Sequence, residues 1–228
     1  MHASHYDRAH LGAFGRIGEG NAALAEAFFG YYGAVFAPGA LTVREKAVTA
    51  LAVAHAVQCP YCIDAYTSGA LEKGADLEQM TEAVHLAAAV RSASVMAYGM
   101  QMLGQGSRAS MGEPVGSVSP AYFDRAHTAD RQRIRAGSPA LADGYFAWER
   151  AVFAEGGLSE REKHLVALAC AHAIQCPYSI ERHTAALDER GVSLEEKTEA
   201  VHVAGAIRGG AALVHGIQML TQSERENP

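Results

Sequence analysis

The residues best suited to chemistry are two thiols three positions apart, in the run Gln58-Cys59-Pro60-Tyr61-Cys62. Pro60 has no N–H and suits the first position of a helix, which makes Cys59 its N-cap and puts Cys62 in the first turn. Unpaired N–H groups at that helix end favour the thiolate, the reacting form of cysteine, and favour it most at Cys59. A pair this close can cycle between dithiol and disulfide. Attack on a hydroperoxide gives a sulfenic acid, which the second thiol captures. The competing reading is half of a zinc site, yet the chain has no second Cys-x-x-Cys, because the corresponding later run carries Cys176 and Ser179.

Other groups could assist. His55 precedes Cys59 by four residues, so imidazole and sulfur fall on adjacent turns; it is a candidate base or a hydrogen-bonded core histidine. His172 stands in the same relation to Cys176. Glu45 and Glu162 occupy the N3 positions of Thr42-x-x-Glu45 and Ser159-x-x-Glu162, where helix capping explains them as well as proton relay does. Cys170 aligns with Val53 and reads as a small buried hydrophobe, and Tyr61 and Tyr178 as packing residues. A different chemistry is suggested by Glu82-x-x-His85 and Glu199-x-x-His202, since di-iron bundles use two such motifs plus two further glutamates. In the second half His172, Cys176, His183, His202 and His215 form another pool of ligands. A count of motifs is weak support for a metal, and thiol redox chemistry without metal or cofactor is the expectation.

The elements that position these groups repeat. Sliding the chain by 117 residues aligns its halves without a gap, and over 45–103 against 162–220 the residues are identical at 30 of 59 positions. Weaker echoes reach back to Asp7-Arg8-Ala9-His10 against Asp124-Arg125-Ala126-His127. This predicts repeat one over 1–105 with an intact Cys-x-x-Cys, a Gly, Ser and Pro linker over 106–121, and repeat two over 122–228 with Cys-x-x-Ser. Ala, Leu, Glu and Met dominate without period-two alternation, so each repeat is expected to be an all-α bundle, the two packed as a pseudo-dimer. Helices are predicted at about 7–17, 22–36 and 42–57, from Pro60 to Gly74, and from Asp76 to about 103, with counterparts 117 residues on.

Composition bounds the function. With 228 residues, a net charge of −6 and a pI near 6.0, the chain has no basic field for nucleic acid. The strongest uncharged apolar run, Ala47 to Val57, is far short of a membrane span. The first residues, Met1-His2-Ala3-Ser4-His5, do not read as an export signal, so the cytoplasm is the expected compartment; His2, His5 and His10 are expected to be disordered rather than ligands.

The run REKAVTALAVAHAVQCPYCIDAYT, residues 44–67, resembles the carboxymuconolactone decarboxylase and AhpD-like alkylhydroperoxidase superfamily. It is especially similar to the small arsenosugar-biosynthesis-associated peroxidase-like proteins. The resemblance covers both repeats and implies thiol peroxidase chemistry in which Cys62 attacks the peroxide, Cys59 resolves it and an external dithiol regenerates the pair. It also implies a homo-oligomer, with trimers of the fused chain the expected form. Relatives commonly place a histidine four residues after the second cysteine. Here Tyr66 stands there, a poor base at neutral pH, which shifts the expected base to His55. Repeat two carries His183 at the family histidine position but Ser179 where the attacking thiol belongs, so it reads as a degenerate or regulatory copy. Cofactor-free lactone decarboxylation, and binding of a metal or an arsenical by adjacent thiols, are the alternatives.

Overall fold

Capping chemistry sets the helix starts seen in a computed structural model, which describes residues 6–110 and 131–226, with side chains over 6–100 and 131–223. The first repeat contains α1 (Ala9–Gly12), a 3-10 turn (Phe14–Gly18), α2 (Ala22–Phe36), α3 (Val43–Ala56), α4 (Pro60–Glu72) and α5 (Leu77–Ser110). The second contains a 3-10 turn (Arg131–Ala136), α6 (Pro139–Phe153), α7 (Glu160–Ala173), α8 (Pro177–Glu189), α9 (Leu194–His215) and α10 (Ile217–Glu226). No strand occurs among the described residues, and α2–α4 and α6–α8 are related by the same 117-residue offset.

Capping boxes open α3, α7 and α9: the hydroxyls of Thr42, Ser159 and Ser193 accept from the N–H of Glu45, Glu162 and Glu196, whose carboxylates accept in return from the cap residues' N–H groups. Gly74 and Gly191 end α4 and α8 at positive φ, where a side chain would be strained.

Two expected boundaries differ. The helix predicted over 7–17 is broken into α1 and a 3-10 turn, because Gly12 and Gly15 fall within it and each costs about 1 kcal/mol of helix stability. Conversely, α5 runs on to Ser110. Glycine and serine weaken a helix, and only proline forbids one; the first proline there is Pro114. The rest of the predicted linker, and the Asp124–His127 echo, lie outside the described residues.

The core forms around α3 and α7, which pack on each other and on both long helices, α5 and α9. Ala47–Ala54 and Leu165–Ala171 are buried on every face, as expected for a helix that is apolar all round. The repeats are locked by reciprocal pairs. Lys46 meets Glu199 and Lys163 meets Glu82, each at 3.0 Å, and Arg44 meets Glu162 as Arg161 meets Glu45. Glu199 also accepts from the N–H groups of Ala40 and Leu41, and Glu82 from that of Leu158. These loops need glycine, since a Cβ at Gly39 or Gly156 would collide with the Glu199 or Glu82 carboxylate. By length and composition alone, Leu194–Ser223 is long and apolar enough to cross a bilayer, which the shorter run noticed in the sequence is not. Its α9 portion packs against α2, α3, α4 and α7.

Candidate thiol site

Cys59 caps α4 as its position before Pro60 requires: its sulfur accepts the Cys62 N–H at 3.4 Å. The preceding residue, Gln58, adopts a left-handed φ of 58°, a conformation that costs an L-residue about 1–2 kcal/mol. Arg91 holds this corner, donating to the Ala56 carbonyl and to Gln58 Oε1. Both cysteines are free thiols and buried. Cys62 Sγ donates to Cys59 Sγ across 2.8 Å. That bond lowers the Cys59 thiol to about 6 against the opposing effect of burial, helped by the Cys62 N–H and by His215. It raises Cys62, with burial adding to the shift. The pair therefore holds one proton near neutrality, on Cys62.

His215 is the last residue of α9 and comes from the second repeat. Its ring lies 5.2 Å from the Tyr61 ring and 5.9 Å from that of Tyr6, and the Tyr61 hydroxyl is 2.9 Å from His10 Nδ1. Of these rings His215 reaches Cys59, which is only 2% exposed. Cys62 instead borders a largely apolar cavity of about 420 Å³, walled by Phe14, Phe29, Phe36 and Val43 among others. Tyr66 also lines it, its hydroxyl 2.8 Å from that of Tyr32. Burial, then the neighbouring Tyr32, pushes the Tyr66 phenol far up, so Tyr66 can donate a hydrogen bond and cannot serve as a base.

The other candidates are elsewhere. His55 Nδ1 bonds to the Leu51 carbonyl of its own helix at 2.9 Å, and His172 repeats this with Leu168. An arrangement kept in the repeat that lacks the second thiol has no need of thiol chemistry to explain it. Against burial, which pushes it up, hydrogen bonds from Arg161 and Thr42 hold Glu45 below the usual carboxylate range, at the seam between repeats; Glu162 takes the mirrored place with Arg44 and Ser159. Glu82 and Glu199 are bound by lysine and backbone N–H groups, and no group of three or more metal-ligating residues occurs among the described residues. Cys170 is fully buried, which pushes its thiol up to about 12.

The second repeat has a different interior at the equivalent place. Cys176 holds the N-cap position of α8 beside Ser179 without a side-chain cap bond, and Tyr98, 117 residues before His215, packs on Tyr178 at 5.7 Å. His183 is buried against His164, Nδ1 to Nδ1 3.1 Å, and burial first, then Arg182, holds it neutral. Glu149 accepts from Arg131, Arg182 and Tyr145. Sequence reasoning counted His215 only among ligands. The signal for its place was the 117-residue register, which sets it opposite Tyr98.

Fold and site together define an all-α tandem protein with a dithiol at a helix start. The chain belongs to the carboxymuconolactone decarboxylase family: the family model matches it twice, over residues 22–103 and 139–222. It is also 40% identical, over 96 residues, to a Paracoccus denitrificans protein described as uncharacterized protein 4 in cox locus, the match covering 42% of this chain and 86% of that protein. That relative does not bear on the arsenosugar-associated grouping.

Proposed function

We propose that the chain is a dithiol peroxidase working through Cys62 and Cys59. The observation that carries this reading is the 2.8 Å hydrogen bond between the two cysteine sulfurs, of which Cys62 faces the cavity. Accessibility favours Cys62 as the nucleophile and acidity favours Cys59; the shared proton reconciles them. Cys62 passes its proton to the Cys59 thiolate and attacks the terminal oxygen of the peroxide. An S–O bond forms, the O–O bond breaks, and the alkoxide leaves as alcohol with the proton now on Cys59. The Cys59 thiolate then attacks the Cys62 sulfenic acid, forming the disulfide and expelling hydroxide, which takes a proton from solvent to leave as water. Two electrons leave the thiols and two reduce the peroxide. An external dithiol returns them, and no metal or cofactor is required. His215 adds to the Cys62 hydrogen bond in favouring the Cys59 thiolate, the part expected of His55 on spacing alone, and Tyr66 positions the peroxide as a donor.

Mixing reduced protein with substoichiometric hydroperoxide and mapping thiols by mass spectrometry tests this. A Cys59–Cys62 disulfide should form, Cys59→Ser should stop at a sulfenic acid on Cys62, and Cys62→Ser should consume no peroxide. Unchanged peroxide with intact thiols in the wild type would exclude the mechanism.

A further inference from the structure

The cavity beside Cys62 has a direction. Cys62, Ala65, Tyr66, Gly69 and Lys73 all line it, at spacings of three, four, seven and eleven from Cys62, so they form one stripe down α4. Eleven residues of helix advance about 16 Å. A largely apolar cavity of about 420 Å³ lies beside that stripe, room for an unbranched hydrocarbon chain. An extended chain advances about 3.6 Å per three bonds, so about 13 bonds reach from one end to the other. Lys73, at the C-terminal end of α4, is the one charged side chain in the lining, and among the described residues no carboxylate pairs with it. Its stem can cover apolar wall while the ammonium stays at the mouth.

The second repeat supplies the contrast. At the positions 117 residues on, Phe14 becomes Arg131, Tyr32 becomes Glu149, Ala65 becomes Arg182 and Val43 becomes Glu160. Those charges satisfy one another, Glu149 with both arginines, and Glu160 with Arg190, the counterpart of Lys73. The apolar cavity ending at a cation that has no carboxylate partner among the described residues is the one beside both thiols.

Resting on the peroxidase reading, we infer that the substrate is a long-chain fatty acid hydroperoxide, its carboxylate at Lys73 and its peroxide carried about a dozen carbons along the chain to Cys62. The reaction is the one written above, with a hydroxy fatty acid as the alcohol product.

The test uses the full chain, reduced, in single-turnover oxidation by linoleic acid hydroperoxide, its methyl ester and hydrogen peroxide, together with palmitate titration of Cys62→Ser by calorimetry. The acid should oxidise the pair at least about tenfold faster than hydrogen peroxide, the worth of about 1.4 kcal/mol of extra binding. The ester should be several-fold slower than the acid, the range of a partly exposed charge pair, and Lys73→Glu should reverse that order. Gly69→Phe, which points a ring into open space, should abolish the preference while thermal melting verifies its fold. Palmitate binding without oxidation by any peroxide would overturn the peroxidase and leave the ligand class standing. Equal rates for all three peroxides with no palmitate binding would overturn the inference and leave the peroxidase standing; equal rates for acid and ester would remove Lys73 from it.

Discussion

At the residue scale, the shared proton of the thiol pair fixes a pH dependence. Cys59 is the more acidic thiol, lowered to about 6, so the thiolate that accepts the Cys62 proton is present above that value and lost below it. The rate of peroxide-driven disulfide formation should fall as pH drops through about 6, with an inflection matching the ultraviolet thiolate titration. His215→Asn removes one of the groups that lower Cys59, so the inflection should move up toward the ordinary thiol value. An unmoved inflection would return His215 to a packing role. His55→Asn should leave the inflection in place, because its imidazole is spent on the Leu51 carbonyl. The thiol pair and its helix cap were legible in the sequence, since a proline after one cysteine and three-residue spacing are local signals. His215 was not: it lies 153 residues from Cys62 by residue number, and only packing between the repeats brings it to the pair.

At the scale of elements, reciprocal capping and the two glycine loops do most to fix the helix entries. Thr42→Ala should cost about 1 kcal/mol, the usual worth of an N-cap, because Glu45 keeps its Arg161 partner. Glu199→Ala strips the ion-pair partner from Lys46, a side chain 2% exposed, and should cost about 3 kcal/mol by urea titration, the lower part of the range for a broken buried pair because Glu199 is itself partly exposed. Gly39→Ala should act through the same contact and cost about 1–3 kcal/mol. A midpoint unchanged in Glu199→Ala would show that the loop, rather than the carboxylate, holds Lys46. Cap residues and terminal prolines made most helix starts readable. The glycines of the 39 and 156 loops were silent, because their requirement comes from a carboxylate in the other repeat. The end of α5 lies beyond its predicted place because glycine and serine resemble a stop without being one.

For the whole molecule, the seam between repeats buries α3 against α7 and joins two copies with unlike interiors. Expressed alone, residues 1–110 would expose the Ala-rich face of α3, leave Lys46 without Glu199 and lack His215. Such a fragment should show no cooperative unfolding transition, whereas the full chain should lose both repeats in one urea transition. Two separated transitions in the full chain would mean that each repeat is stable by itself. The pseudo-dimer was legible because a gap-free 117-residue register can hardly arise otherwise. The unequal interiors required the structure, because paired charges such as Glu149 with Arg131 and Arg182 reveal themselves only when packed. Tyr98 and His215 occupy equivalent places, one beside each helix-capping cysteine. In a dimer of identical chains one gene would have to write the same residue at both, and each substitution would be paid for twice. Covalent fusion removes that constraint: the second copy carries Ser179 in place of a second thiol and still sets its histidine beside the thiol pair of the first.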